Sequence, residues 1–155
     1  MDLLINNAGI FGPDDAAFGE MDYGAWADVI GVNALAPYAV TECFAGHVAA
    51  SDLKIVVAVT SRMGSIASID KGSSCIYRSS KAALNAVMKG LSHELKALGI
   101  TVAVLHPGWV NTDMGGPDAS IEAPVSVSGL RQVIASLKPG DSGKFFNYDG
   151  NEIPW

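Results

Sequence analysis

The chain has 155 residues and a net charge of −6, with 49% hydrophobic and 17% charged residues. That length suits one domain burying roughly 70% of its unfolded surface, and the apolar content argues against disorder. An acidic chain without a dense Lys/Arg run is a poor match for nucleic acid or an anionic membrane surface.

Leu3-Leu4-Ile5 is a short apolar run ending at Asn6-Asn7-Ala8-Gly9, which reads as a buried strand stopped by a glycine turn. Residues 10–20, with Gly12-Pro13-Asp14-Asp15, read as loop. From about Asp22 to Ala50, Trp26, Ile30, Asn33, Pro37, Val40, Phe44 and Val48 recur at threes and fours, which predicts a helix with these residues on one face. Lys54 to Thr60 is a second, valine-rich strand, and 61–74 a polar loop. The next helix is predicted from about Cys75 to Leu98. Leu84, Val87, Met88, Leu91, Leu95 and Leu98 form its apolar stripe, Lys89, His93 and Lys96 its solvated face, and Gly99 its end. Thr101–Leu105 is a third strand, stopped by Pro107-Gly108. A flexible stretch to about Pro124, a helix over Val125 to Leu137, a short strand holding Phe145-Phe146 and a turn at Asp149-Gly150 complete the chain.

Strands alternating with helices imply an α/β fold with parallel pairing and right-handed crossovers. With no repeat, low-complexity tract or linker, residues 1–155 read as a single domain. Three or four strands make a narrow sheet for this architecture, and the first strand is expected to be an uncovered edge. Cys43 and Cys75 are too few for a disulfide framework, and no signal peptide is visible. The longest apolar runs, such as Ile55–Val59, fall far short of the roughly 20 residues that span a bilayer, so a soluble cytoplasmic protein is expected.

Tyr77 and Lys81 stand one helical turn apart, downstream of Ser61 and Asn33. With Asn6-Asn7-Ala8-Gly9 before them and His106-Pro107-Gly108-Trp109-Val110-Asn111-Thr112 after, they resemble the short-chain dehydrogenase/reductase family over essentially the whole chain. Thr60-Ser61-Arg62-Met63-Gly64-Ser65, the Tyr-Arg-x-Ser-Lys form of the motif, Asp113-Met114-Gly115-Gly116 and the Ile153-Pro154-Trp155 ending look most like its sniffer and C-factor branch of carbonyl reductases. Cys75-Ile76 departs from the Tyr-Ala that relatives often carry there.

The resemblance implies NADP(H)- or NAD(H)-dependent reduction of a carbonyl, with Asn33, Ser61, Tyr77 and Lys81 as the catalytic set. The physical chemistry agrees. A tyrosine with pKa near 10 needs roughly 4 kcal/mol to titrate at about 7. A lysine charge about 6 Å away, at an effective dielectric near 20, supplies about 2.8 kcal/mol. The remainder is expected from the oxidised nicotinamide. Ser61 would donate a hydrogen bond to the substrate oxygen as charge develops there. Pro37 cannot donate to the carbonyl of Asn33, so the helix should kink and leave an acceptor for water. In the family such a water links the lysine to solvent as a proton relay.

The resemblance also implies cofactor contacts from Asn7, Ala8 and Gly9 along the adenosine ribose, Lys81 at the nicotinamide ribose beside Tyr77, and Pro107, Gly108, Val110 and Thr112 around the nicotinamide. Family members commonly pair through two long helices, so a homodimer is expected. No metal site is read: Cys43 and His47 stand at i, i+4 without a third ligand. His106 and His93 have no nucleophile in view, Trp26, Phe44 and Met88 read as core, and Asp118 to Ser128 reads as a mobile lid over substrate or a plain surface loop.

Intact family members open with a strand and a Thr-Gly-x-x-x-Gly-x-Gly turn that offers backbone N–H groups to the pyrophosphate. That pattern is absent, so the chain is expected to be the C-terminal part of a doubly wound parallel-sheet Rossmann fold, about four strands with flanking helices. Binding of NADPH by it is expected to be weak. Two functions follow: part of a carbonyl reductase, or a non-catalytic C-factor-like signalling or interaction protein.

Overall fold

Two valine-rich runs make the centre of the sheet, because β-branched side chains fit extended backbone and fill both of its faces. The computed structural model describes residues 1–13 and 18–155. In it β1 (Leu3–Asn6), β2 (Ile55–Val59), β3 (Thr101–His106) and β6 (Lys144–Asn147) form one sheet in the order β1-β2-β3-β6. All pairs are parallel, with Leu3 opposite Ile55, Ile55 opposite Thr101, and His106 opposite Asn147. Part of the loop expected over 10–20 lies outside the described residues.

Helices α1 (Tyr23–Ile30), α2 (Ala36–Ala49) and α3 (Cys75–Glu94) cover one face, where Val48, Leu84, Met88 and Leu91 pack on Val56, Val102, Val104 and Phe145. Helix α4 (Ala123–Ser136) covers the other, where Val133 meets Ile55, Val57, Ala103 and Leu105. Each fully buried side chain of this size contributes roughly 1.5–3 kcal/mol. The predicted fold is borne out, and helices on both faces make it doubly wound. β1 is an edge strand, with Ile5 47% exposed.

Three expectations are corrected. Between α1 and α2 the backbone runs as one wide turn over Gly31–Leu35, with Ala36 N–H reaching Gly31 O five residues back. The extra residue in that turn rotates the following face, so Pro37, Thr41 and Val48 are buried while Val40 and Phe44 are exposed. The second helix ends earlier than predicted: Leu95–Leu98 form a tight turn, Leu98 is exposed, and Gly99 (φ 72°) terminates it. The stretch 107–124 is not merely flexible. It holds a two-residue parallel ladder, β4 (Val110–Asn111) with β5 (Ile121–Glu122), and α4 begins directly after it. Tyr23–Ala49, 27 residues taken as one helix, is long and apolar enough by length and composition to cross a membrane, a test that the core helix of a soluble protein also passes. Asp28, Asn33 and Glu42 interrupt its sequence, which is why no single apolar run showed this.

Candidate active site

β2 ends at Val59, and Ser61 follows in extended backbone. Its Oγ accepts Met63 N–H at 3.1 Å, capping the short turn Arg62–Gly64. The Ser61 side chain is also close enough to Tyr77 to pull the phenol pKa down. The turn lies directly on α3: a Cβ at Gly64 would stand 2.7 Å from the Lys81 carbonyl carbon. Asn85 clamps both pieces, accepting from Thr60 Oγ1 at 2.7 Å and donating to Gly64 O at 3.2 Å. A residue without a side chain thus lets the strand end reach the helix that carries Tyr77 and Lys81.

Spacing of four along α3 stacks Tyr77 and Lys81 on its buried face. Lys81 is 4% exposed, and its Nζ donates to Val59 O at 3.0 Å and lies 5.8 Å from the Tyr77 ring centroid. Burial pushes the Lys81 pKa down to about 8. Tyr77 is 8% exposed and stacks on Phe11 at 4.6 Å. Its pKa is raised, because loss of water around the phenolate outweighs the hydrogen bond from Ser61. A net pull downward from Lys81 was expected; the shift is upward, with burial as its largest cause.

Asn33 is fully buried in the wide turn, and its side chain is wholly engaged. Oδ1 accepts Ile10 N–H at 2.8 Å, while Nδ2 donates to Ile10 O at 2.8 Å and Ser80 Oγ at 2.9 Å. Asn33 therefore straps the segment after β1 to α3, and Trp26 Nε1 repeats the tie to Ser79 Oγ at 2.8 Å.

Ser61, Tyr77, Pro107, Gly108, Val110 and Thr112 open onto one cleft of about 390 Å³. Asn33 and Lys81 form its support rather than its wall. Gly9 touches that support, since a Cβ there would stand 3.2 Å from Lys81 Nζ and 3.3 Å from Asn33 Oδ1. Asn7 and Ala8 are exposed where β1 ends, outside the cleft. The rim is fixed by hydrogen bonds from Trp109 Nε1 to Gly115 O (2.7 Å) and from Ser126 Oγ to Pro107 O (2.6 Å). The second of these, with β5 and α4, holds much of the 118–128 segment in regular structure in place of a free lid.

Sequence reasoning missed Phe11, Arg62, Met63, Trp109, Met114 and His106 as cleft residues. Most come from irregular backbone, where no periodicity signals direction. His106 had a usable signal: strand alternation places it on the face of Val102 and Val104, beneath α3. Its Nδ1 is buried without a hydrogen-bond partner, as is Asn147 Oδ1 on the neighbouring strand. Burial first, then the Arg62 charge, lower the His106 pKa to about 4, against the opposite pull of Asp149. Among the described residues no cluster of three metal-ligating side chains occurs.

A parallel sheet with a buried Ser-Tyr-Lys set at the carboxyl ends of its strands defines a class, and sequence comparison agrees: the chain belongs to the short chain dehydrogenase family, whose model matches residues 1–122. It is 47% identical to the C-signal of Myxococcus xanthus, over 100% of this chain and 93% of that protein. It is 33% identical to the 1-hydroxy-2-glutathionyl-2-methyl-3-butene dehydrogenase of Rhodococcus sp., covering 69% of that enzyme. Among solved structures, it superposes on the carbonyl reductase Sniffer of D. melanogaster with a TM-score of 0.93 at 32% identity, over 100% of this chain and 66% of that one. The NADPH-bound carbonyl reductase from chicken fatty liver gives 0.92 at 31% identity, again with 66% of that chain covered. The chain thus spans nearly all of the C-signal and about two thirds of the reductases.

Proposed function

We propose that the chain carries the acid–base and nicotinamide-facing part of an NADP(H)-dependent carbonyl reductase. The observation that supports this best is that Ser61 and a buried Tyr77 line one cleft, with Lys81 Nζ 5.8 Å from the Tyr77 ring centroid.

The residues present fit the nicotinamide end of such a cofactor. Pro107, Gly108, Val110 and Thr112 would hold the ring, Lys81 the adjoining ribose, and Asn7, Ala8 and Gly9 the adenosine side. A Cβ at Gly9 would stand 3.2 Å from Lys81 Nζ, close enough that the ammonium would have to shift by a few tenths of an ångström. The described residues offer no glycine-rich helix start for a pyrophosphate, so weak NADPH affinity is part of the proposal. Bound nicotinamide would supply the hydride to the carbonyl carbon. The carbonyl electron pair moves to oxygen, which takes the proton of Tyr77 and leaves as an alcohol. Ser61 donates to that oxygen as its charge grows, and the Lys81 charge favours the resulting phenolate. Pro37 denies the Asn33 carbonyl a helix partner, which suits it to hold a water that returns a proton through Lys81.

Replacing Ser61 by Ala should lower kcat for NADPH-dependent reduction of an aromatic aldehyde about 10²–10³-fold. Turnover equal to wild type at millimolar NADPH would remove Ser61 from the mechanism and the proposal with it.

A second reading is favoured by the likeness to the C-signal over 93% of that protein's length. In it the chain acts by association, through the apolar residues that α1–α2 leave exposed, chiefly Leu35, Tyr38, Val40 and Phe44. A homodimer through this face and α3 is compatible with either reading.

A further inference from the structure

We propose that the cleft selects carbonyl substrates that carry an anionic group, with Arg62 as the selecting residue. This rests on the reductase reading and names the substrate class for the same site.

The cleft wall is apolar and aromatic, with Phe11, Met63, Trp109 and Met114 around Ser61 and Tyr77. Of the residues lining it, Arg62 is the one with a charged side chain at neutral pH, since His106 stays neutral there. Arg62 directly follows Ser61, and its carbonyl accepts Ser65 N–H at 2.9 Å, so its backbone is fixed at the cleft. Its charge reaches the His106 ring, which lines the same wall. Asp149 acts on that ring in the opposite sense and more weakly, from outside the lining.

Among the described residues the ion pair formed is Lys144–Asp141, at 2.9 Å, and Arg62 belongs to none. A cation in the substrate cleft runs against a chain whose net charge is −6. Long-range repulsion of anions is screened beyond about 8 Å in physiological salt, while a contact at the cleft is not. With Arg62 lining the same cleft as Ser61 and Tyr77, a carbonyl held at the two hydroxyls would set a carboxylate a few atoms away against the guanidinium fork. The apolar wall suits an aromatic or similarly bulky body between the two groups.

The test compares para-carboxybenzaldehyde with its methyl ester in NADPH-dependent turnover. In parallel, binding of benzoate and of benzamide is followed by tryptophan fluorescence, to which Trp109 in the wall contributes. Wild type should favour the anion about fivefold in kcat/KM and in affinity, as expected for a partly exposed charge pair. Arg62→Gln should abolish the preference, and Arg62→Glu should reverse it. Equal binding of benzoate and benzamide by wild type, or a preference that survives in Arg62→Gln, would overturn the proposal. An Arg62-dependent benzoate preference without turnover of either aldehyde would uphold the anion site and count against the reductase reading alone.

Discussion

At the scale of residues, Lys81 and His106 make the site sensitive to pH in two windows. The Lys81 pKa falls from 10.5 to about 8 on burial. Between those values the unfolded chain keeps a proton that the folded chain has released, so this group's contribution to stability rises as pH climbs from about 8 to 10.5. The protonated lysine is the form that favours the Tyr77 phenolate, so activity should fall where this stability contribution begins to rise. His106 is lowered from 6.5 to about 4, so its contribution is present above 6.5 and is lost as pH falls towards 4. Denaturant titrations across both windows should show slopes that Lys81→Met and His106→Gln flatten separately; unchanged slopes would mean that neither group is buried as described. The Tyr-Lys spacing and the upstream serine were legible in sequence, because one helical turn and one strand end determine where they point. The net effect on the phenol was not, since it depends on Phe11 and other walls brought in from distant segments.

At the scale of elements, the wide turn Gly31–Leu35 does what a straight helix would not. It buries Asn33 and, one turn later, moves Val40 and Phe44 outward. A proline in the run signalled an irregularity, but not whether the backbone would bend or widen. The Asn33 side chain is spent on Ile10 and Ser80, so its structural role is separable from a role of its carbonyl. Asn33→Ala should cost about 1–3 kcal/mol in chemical denaturation by removing the donor to the buried Ser80 Oγ and both bonds to Ile10. A cost below about 0.5 kcal/mol would show that the strap contributes little. Strand and helix order was readable from periodicity, and the boundaries near Leu98 and Ala123 were not, because end turns are decided by local hydrogen bonds rather than by the apolar stripe.

For the whole molecule, the helices cover the sheet unevenly. The face carrying α2 and α3 is filled, while on the α4 side Ile5 stays open on the edge strand. The edge position of β1 in this sheet was legible from the small number of strands. The exposure along α1–α2 was not, because the predicted row assigned Val40 and Phe44 to the core. Leu35, at 62%, is the most exposed of Leu35, Tyr38, Val40 and Phe44. If copies associate there, sedimentation velocity should show a dimer that Leu35→Asp shifts to monomer without loss of helical circular dichroism. An unchanged sedimentation coefficient in the variant would place any association elsewhere.

The assignment of Tyr77 as the acid stands or falls on its hydroxyl. NADPH consumption with an aromatic aldehyde, at millimolar cofactor, should drop at least about 10²-fold in Tyr77→Phe, with the fold and cofactor affinity kept. A Tyr77→Phe chain that reduces the aldehyde at the wild-type rate would contradict it.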